Sequence, residues 1–283
     1  MTTVARTIAD LRRLVAERAA TRVGFVPTMG ALHEGHLSLM RRAHRECDLV
    51  VVSLFVNPTQ FNDRADFEAY PHDFDRDLAF ARDAGVHLLF APDTAEMYPA
   101  TLTTTVDVGA PAAPLEGVAR GAVHFRGVAT VVAKLLNIVQ PHVAYFGQKD
   151  AQQALVIRAM VRDLDFPVTI EICPTVRESD GMALSSRNVR LSSAARTQAT
   201  ALSRALFGIE RAVARGERRT APLLASGRDV LRAAGITSSA VDYLAAVDAT
   251  TLAPVDEVVG ETLVAVAATV GGVRLIDNVL VRP

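Results

Sequence analysis

Short apolar runs alternate with stretches of helical periodicity along the first 175 or so residues. A short apolar run bounded by turn-forming residues predicts a buried strand, whereas apolar positions three and four apart predict one face of a helix. By these criteria strands are predicted at 23–26, 48–56, 86–90, 143–146 and 168–172, with helices at 8–15, 33–45, 73–84, 127–139 and 151–161. The alternation predicts a parallel sheet joined by right-handed crossovers.

The C-terminal part of the chain has a different pattern. Ala- and Arg-rich amphipathic helices are predicted at 192–215 and 222–234, and strands at 241–247, 262–269 and 273–280. Gly271-Gly272 indicates a two-residue hairpin between the last two strands. We therefore predict an α/β fold with two domains. Residues 1–176 form a Rossmann-like, doubly wound parallel sheet domain, and residues 177–283 form a smaller α+β domain that closes over the active site.

The segment G-F-V-P-T-M-G-A-L-H-E-G-H, residues 24–36, concentrates the candidate chemistry. His33 and His36 lie where the first predicted buried strand passes into a helix. Unpaired backbone N–H groups and the positive end of the helix dipole gather at such a place, so it suits phosphate. The dipole also disfavours imidazolium, so a neutral histidine can donate a hydrogen bond to a phosphoryl oxygen. Gly35 removes a side chain and lets a nucleotide approach the backbone.

The histidines have two other interpretations. A histidine pair near a helix start is often simply exposed on the surface, without a function. H-x-x-H also suggests a metal pair, but no third or fourth ligand stands nearby in the sequence, which disfavours zinc. The surrounding strand, glycine turn and Gly-His step favour nucleotide binding.

Three further polar segments follow predicted strands. In Asn57–Asn62, the amide of Gln60 offers a donor and an acceptor to a hydroxyl and a carboxylate. In G-Q-K-D, residues 147–150, Lys149 can bind a phosphate group as a point charge, and Asp150 can bind Mg²⁺. Each of these two segments also has a plain interpretation, as an Asn-Pro turn and as an ordinary N-cap beside a solvated lysine.

The third segment, 182–188, carries two hydroxyls and a guanidinium, which together can clamp a triphosphate. The alternative is a flexible surface loop. Gln152 and Gln153 open the helix after G-Q-K-D, and one of them is expected to face the cleft. Ser192, by contrast, is expected to be only an N-cap.

Composition narrows the class of protein. Half of the residues are hydrophobic, which supplies a sizeable core, and the net charge of −1 gives no electrostatic case for nucleic acid. Cys47 and Cys173 form no C-x-x-C pattern, so both are expected to be buried free thiols in a reducing compartment. No signal-peptide pattern and no apolar stretch long enough to span a membrane are expected, so we predict a cytoplasmic protein without membrane partners.

Six strings occur in the order typical of the pantothenate synthetase family. They are P-T-M-G-A-L-H-E-G-H, F-V-N-P-T-Q-F, M-Y-P, H-F-R-G-V, F-G-Q-K-D-A-Q-Q and S-S-R-N. H-E-G-H also resembles the H-I-G-H signature of the nucleotidyl-transfer superfamily that includes class I aminoacyl-tRNA synthetases. The resemblance covers nearly the whole chain. It implies a homodimeric ATP-dependent ligase that condenses pantoate with β-alanine through a pantoyl-adenylate. The implied products are pantothenate, a coenzyme A precursor, with AMP and diphosphate.

The resemblance also implies roles for particular residues. His36 matches the proton donor, and His33 and Lys149 are the other candidate catalytic groups. The implied ATP contacts are Met29, Gly30, Ala31, Leu32, His33, Glu34, Gly35, His36, Gly147, Gln148, Lys149, Asp150, Val176, Leu184, Ser185, Ser186 and Arg187. Gln60 matches a contact to both pantoate and β-alanine, and Gln153 a second pantoate contact. Asp150, with Asp75, is the candidate Mg²⁺ ligand.

The chain departs from the family pattern in two places. The family commonly has R-P-G-H-F before the Gly-Val step, whereas residues 120–125 are R-G-A-V-H-F, one residue longer and without the proline. Gln148 stands where many members carry Glu. Two rival classes are a nucleotidyltransferase, which would stop at a nucleotidylated product, and a non-catalytic RNA-associated module. The RNA-associated module should show a basic patch and should lack the phosphate ligands.

Overall fold

The computed structural model describes residues 2–18, 21–100 and 102–283. The chain divides into a first unit, Met1–Gly147 with Val156–Cys173, and a second unit, Gln148–Leu155 with Pro174–Pro283. The sequence-based division after residue 176 assigned residues 148–155 to the first domain, whereas the structure groups them with the second unit. The reason is Asn278, whose side-chain amide donates to the carbonyl oxygens of Gln148 (2.9 Å) and Lys149 (3.1 Å).

A parallel sheet forms the centre of the first unit. Its strands are β1 (Thr3–Ala5), β2 (Val23–Thr28), β3 (Leu49–Leu54), β4 (Leu88–Phe90), β5 (Val143–Gly147) and β6 (Thr169–Cys173). Their order is β1-β4-β3-β2-β5-β6, and all neighbours are parallel. The order reverses between β2 and β5, so the carboxyl ends of these two strands form the switch point where such sheets bind ligands. The predicted doubly wound sheet is confirmed, with β1 as a strand that the sequence pattern did not predict.

Strand β2 continues through Pro27, although a strand ending before the proline is predicted from the sequence. Pro27 pairs with Ser53 of β3, while β5 is in register only with Gly24 and Phe25. At Pro27 the strand therefore has one sheet neighbour, a position where a residue without an N–H is tolerated.

Helices cover the sheet of the first unit. They are α1 (Ile8–Ala16), α2 (Glu34–Glu46), α3 (Arg64–Glu68), α4 (Phe74–Asp83), α5 (Thr94–Met97), α6 (Glu116–Val139) and the later part of α7 (Ala151–Asp163). The predicted apolar stripe of α2 is confirmed, because Leu37, Met40 and Ala43 are buried in one cluster with Val50 and Val52 of β3. Burying a side chain such as Met40 contributes about 1.5–3 kcal/mol. This packing fixes the start of α2 at the carboxyl end of β2.

Helix α6 differs from its prediction in two respects. It begins at Glu116 rather than near residue 127, and it kinks at Gly121, where φ is 76° and ψ is 165°. Contrary to expectation, this helix is long and apolar enough to cross a membrane by length and composition alone. However, 72% of its most apolar window is buried within the fold. The core helix of a globular protein meets the same criterion.

The second unit contains a three-stranded antiparallel sheet and two long helices. The strands, in the order β7-β8-β9, are β7 (Val241–Asp248), β8 (Thr262–Val270) and β9 (Val273–Val281). The helices are α8 (Ser193–Ala214) and α9 (Thr220–Ala233). The hairpin is confirmed by the pairing of Val270 with Val273, and the N-cap by the Ser192 Oγ, which accepts from the Ala195 N–H at 3.2 Å. Apolar residues of α8, α9 and all three strands form one core.

Both cysteines are buried free thiols, as expected. Cys47 Sγ lies 3.3 Å from the Tyr145 hydroxyl, and Cys173 Sγ accepts from Arg42 at 3.4 Å. Burial raises the pKa of the Cys173 thiol, although the nearby Arg42 acts in the opposite direction. The thiol is therefore disfavoured as a nucleophile.

Candidate active site

His33 and His36 form a cap at the start of α2. His33 is the N-cap residue, and its Nδ1 accepts from the Gly35 N–H at 3.1 Å. The Nδ1 of His36 accepts from the His33 N–H at 3.4 Å, and the two ring centroids are 4.2 Å apart. Because both Nδ1 atoms accept, each neutral ring carries its proton on Nε2. The cap thus fixes the tautomer in which Nε2 is the donor atom.

The expectation that the backbone N–H groups of this loop are unpaired is wrong for most of the loop. The Gly30 N–H donates to Thr28 Oγ1, and the His36 N–H donates to the His33 carbonyl. The N–H groups of Ala31 and Leu32 donate to a carboxylate of this chain, and those of His33 and Gly35 donate to the capping imidazoles. These backbone N–H groups are therefore already paired within the chain.

The carboxylate that binds this loop is Asp77, a residue that sequence reasoning missed. It lies in the first turn of α4 and is only 3% exposed. One oxygen accepts from Ala31 at 2.9 Å and the other from Leu32 at 2.8 Å. The three aspartates of residues 73–77 recur at every second position, but nothing in the sequence distinguishes Asp77 from Asp73 and Asp75.

Gln60 is held by a buried polar network centred on Asn57. The Asn57 amide donates to Gln60 Oε1 at 3.0 Å, and its oxygen accepts from the Tyr98 hydroxyl at 2.7 Å. Burial raises the pKa of Tyr98, so the hydroxyl remains a donor. The Gln60 amide in turn contacts Met29 Sδ at 3.2 Å. Within the first unit the structure thus brings Gln60 next to the loop between β2 and α2, and Tyr98 of the M-Y-P string helps to hold Asn57 in place.

Helix α6 supports the same segment from the other side. His124 Nδ1 lies 2.8 Å from the Gln60 carbonyl oxygen, and Asn57 donates to the Gly127 carbonyl at 3.1 Å. A Cβ atom on Gly127 would lie 2.4 Å from the Thr59 carbonyl oxygen. Residues 124–127, which form the H-F-R-G string, therefore pack closely against the turn that contains Gln60.

Replacing Gly127 by alanine is expected to destabilise the protein by about 1–3 kcal/mol and to raise the KM for the substrate that Gln60 is predicted to contact, because backbone atoms cannot yield to the added methyl. Thermal unfolding and steady-state kinetics measure the two effects. Gly208→Ala is the matched control, since among the described residues no heavy atom outside the backbone of α8 itself lies within 4 Å of that Cβ position. It should stabilise by up to about 1 kcal/mol. Equal behaviour of the two variants would contradict the packing argument.

In the second unit, Asn278 of β9 positions the segment that carries Lys149. Besides its two bonds to backbone carbonyls, Asn278 accepts from the Gln148 side chain at 3.3 Å. Lys149 Nζ lies 3.9 Å from the exposed carboxylate of Asp150. Lys149 lines one concave pocket with Ser185 and Arg187. The second unit therefore gathers three of the predicted phosphate ligands.

Leu184 and Ser186 flank Ser185 of that pocket in the chain. The Leu184 N–H donates to the Val176 carbonyl at 2.9 Å, which ties the two implied ATP contacts together. Ser185 caps the 3-10 turn Ser186–Arg190 by accepting from the Arg187 N–H at 3.3 Å. Ser186 is exposed on this turn.

Three further predicted ligands lie at or near the ends of strands and helices. Gly147 ends β5, and Glu34, which is exposed, pairs with Arg41 of the same helix. Of the glutamines that open α7, Gln152 is buried and Gln153 is partly exposed, which favours Gln153 as the residue that faces a ligand.

The candidate Mg²⁺ ligands do not form a preformed metal cage. Asp75 and Asp150 are both exposed. Within residues 2–18, 21–100 and 102–283, no three His, Cys, Asp or Glu side chains are grouped to hold a metal ion. A Mg²⁺ ion that is bound largely by substrate phosphates needs only one or two carboxylates. Asp150, next to Lys149, fits such a site, and Asp75 stays a prediction.

A doubly wound parallel sheet with a histidine pair at the β2–α2 connection is the arrangement of a Rossmann-like α/β protein. The family model described as pantoate-beta-alanine ligase matches residues 3–280. The chain belongs to this family and is a ligase.

Relatives of known name support this membership. A pantothenate synthetase of Acidobacterium capsulatum is 52% identical, over 98% of this chain and 96% of the relative. A pantothenate synthetase of Roseiflexus castenholzii is 51% identical, over 98% of this chain and 99% of the relative.

Solved structures of relatives have the same fold. A crystal structure of the Thermus thermophilus pantothenate synthetase is 49% identical, with a TM-score of 0.90 and 100% coverage of both chains. The pantoate-beta-alanine ligase of Francisella tularensis, described as complexed with beta-gamma ATP and beta-alanine, is 32% identical with a TM-score of 0.77. It covers 99% of this chain and 98% of that chain.

Proposed function

We propose that this chain condenses pantoate with β-alanine in an ATP-dependent reaction that passes through pantoyl-adenylate. The observation that carries the proposal is the histidine cap of α2, which fixes Nε2 of both His33 and His36 as donor atoms. A developing charge at the α-phosphate requires such preorganised donors.

In the first step a pantoate carboxylate oxygen attacks the α-phosphorus of ATP. The new P–O bond forms while the bond to the bridging oxygen breaks, and diphosphate leaves. His36 and His33 donate to the α-phosphate oxygens, and Lys149 offsets the charge that accumulates. Ser185, Ser186 and Arg187 bind the β- and γ-phosphates.

In the second step the β-alanine amine attacks the acyl carbon of the adenylate. The amide C–N bond forms, the C–O bond to AMP breaks, and the amine loses its proton to solvent or to a neighbouring base. Gln60, held by Asn57, orients both pantoate and β-alanine, and Gln153 binds pantoate. AMP is a good leaving group, whereas the oxygen of a free carboxylate is not, which is why activation precedes amide formation.

The loop residues Met29–Gly35 and the segment with Gly147, Gln148, Val176 and Leu184 shape the nucleotide site in this proposal. When bound, Mg²⁺ would neutralise phosphate charge, and Asp150 is the residue that fits it. We also propose a cytoplasmic homodimer. Light scattering of purified protein tests the assembly, and a mass equal to one chain would contradict it.

The function is tested with purified protein, ATP, Mg²⁺ and pantoate, with and without β-alanine. Without the amine we expect a burst of about one diphosphate per active site, because the adenylate stays bound. With β-alanine, AMP and pantothenate should form together at a steady rate. Pantoate labelled with ¹⁸O in its carboxylate should transfer one label to AMP, since that oxygen bonds to the α-phosphorus. Steady diphosphate release without an amide product would instead identify a nucleotidyltransferase.

A further inference from the structure

The loop between β2 and α2 contains an anion-binding arrangement of its own. Gly30 has φ = +90° and Ala31 has φ = +51°, so two successive residues are in the left-handed region. Successive backbone N–H groups in such turns converge on one point and form a concavity that binds anions. In this chain the N–H groups of Ala31 and Leu32 converge on the two oxygens of Asp77.

The fit between this concavity and Asp77 is close. A Cβ atom on residue 30 would lie 2.9 Å from Asp77 Oδ2, so glycine is required both by its backbone conformation and by the carboxylate. Asp77 is nearly fully buried, and its two oxygens accept at 2.9 and 2.8 Å. The anion site of the loop is therefore filled by the protein itself.

We propose that Asp77 is a positioning residue for nucleotide binding. By filling the anion site it holds residues 29–32 in the conformation that leads into the histidine cap, and it withholds two N–H groups from the nucleotide phosphates. Phosphate is thereby directed to the Nε2 donors of His33 and His36. The proposal rests on the assignment of this loop to ATP under the proposed function.

The test compares Asp77→Asn with Asp73→Ala in the full chain. An amide at residue 77 can accept from only one N–H and turns a donor toward the other, so the loop loses part of its support. Asp73 is the exposed N-cap of the same helix and accepts from the Arg76 N–H at 3.1 Å. Its loss weakens α4 without touching the nucleotide loop, so it controls for general destabilisation.

Binding of a non-hydrolysable ATP analogue is measured by calorimetry, together with the KM values and the melting temperature. We expect Asp77→Asn to weaken analogue binding and to raise the KM for ATP, each about tenfold. The KM for β-alanine should stay within about twofold, and Asp73→Ala should lower the melting temperature with analogue affinity within about twofold of wild type. Unchanged affinity in Asp77→Asn, or an equal loss in Asp73→Ala, would overturn the proposal.

Gly30→Ala provides a second route if Asp77→Asn does not fold. Its methyl group pushes the carboxylate away from the loop, so the same loss of analogue affinity is expected, and wild-type affinity would overturn the proposal. Analogue binding needs neither pantoate nor β-alanine. Wild-type protein that binds the analogue but forms no pantothenate would therefore refute the proposed function alone. A normal amide product with wild-type analogue affinity in Asp77→Asn would refute the role of Asp77 alone.

Discussion

Replacing His36 by alanine is expected to lower kcat for pantothenate formation about 10²–10³-fold, as the loss of one preorganised donor to a developing oxyanion does in other enzymes. Under the proposed function the Nε2 atom of His36 is that donor, because its Nδ1 accepts from the His33 N–H. The same change removes an acceptor from the helix cap, so stability falls by about 0.5–2 kcal/mol as well. Initial rates and thermal melts measure the two effects.

His36→Gln separates the two roles. Glutamine at this third helical position can still accept from the His33 N–H, as in ordinary capping boxes, but it does not place a ring Nε2 donor at the phosphate. We expect wild-type stability with kcat still reduced. His44→Ala, at the other end of α2 with its ring centroid 5.5 Å from that of His87, should leave kcat unchanged. Full activity of His36→Gln would show that only the cap matters.

Replacing Asp277 by alanine is expected to destabilise the second unit by about 3–5 kcal/mol, because it removes one partner of a largely buried ion pair. Arg177 binds Asp277 in a bidentate manner at 2.7 and 2.9 Å, and the two side chains are 18% and 3% exposed. Asp277 also accepts from the Asn278 N–H at 2.7 Å. Its loss should therefore also loosen Gln148 and Lys149, and hydrogen exchange of residues 148–150 and 274–280 measures both effects.

Asp242→Ala is the matched control on the same sheet. Asp242 pairs with Arg274, but both side chains are at least 30% exposed, so its loss should cost no more than about 1 kcal/mol. The double variant Arg177→Met with Asp277→Leu should recover much of the stability, since no buried charge is then left unpaired. Equal protection losses in Asp277→Ala and Asp242→Ala would contradict the assignment of Asp277 as a buried structural partner.

Much of the fold follows from local signals. Ser192 caps its helix as predicted, and Thr7 caps α1 in the same way, since a cap bonds an N–H only three residues away. The central strands β2, β3 and β5 were predictable because a buried parallel strand must be apolar along its length, whereas the three-residue strand β1 was not predicted. Helix α6 was predicted too short, because Gly121 and its small neighbours give no clear periodicity before residue 127.

The residues of the candidate site could be predicted from short sequence motifs, but their arrangement in space could not. The sequence assigned Lys149, Ser185 and Arg187 to phosphate, and the structure places all three around one pocket of the second unit. The sequence did not show which donors were available, and it suggested that backbone N–H groups would bind phosphate. Asp77 accepts from two of those groups across 45 and 46 residues of chain.

By itself, then, the sequence determined the class of fold, the helix caps, the hairpin and the family of the enzyme, because each of these depends on residues that are close in the chain or on strings that recur in order. Only the tertiary structure decided that Asp77 binds the loop between β2 and α2 and that Asn278 holds the backbone at Lys149. The physical reason is that a hydrogen bond between distant segments leaves no periodicity in the sequence. Asp73, Asp75 and Asp77 are chemically identical, and folding alone buries one of them against two backbone donors.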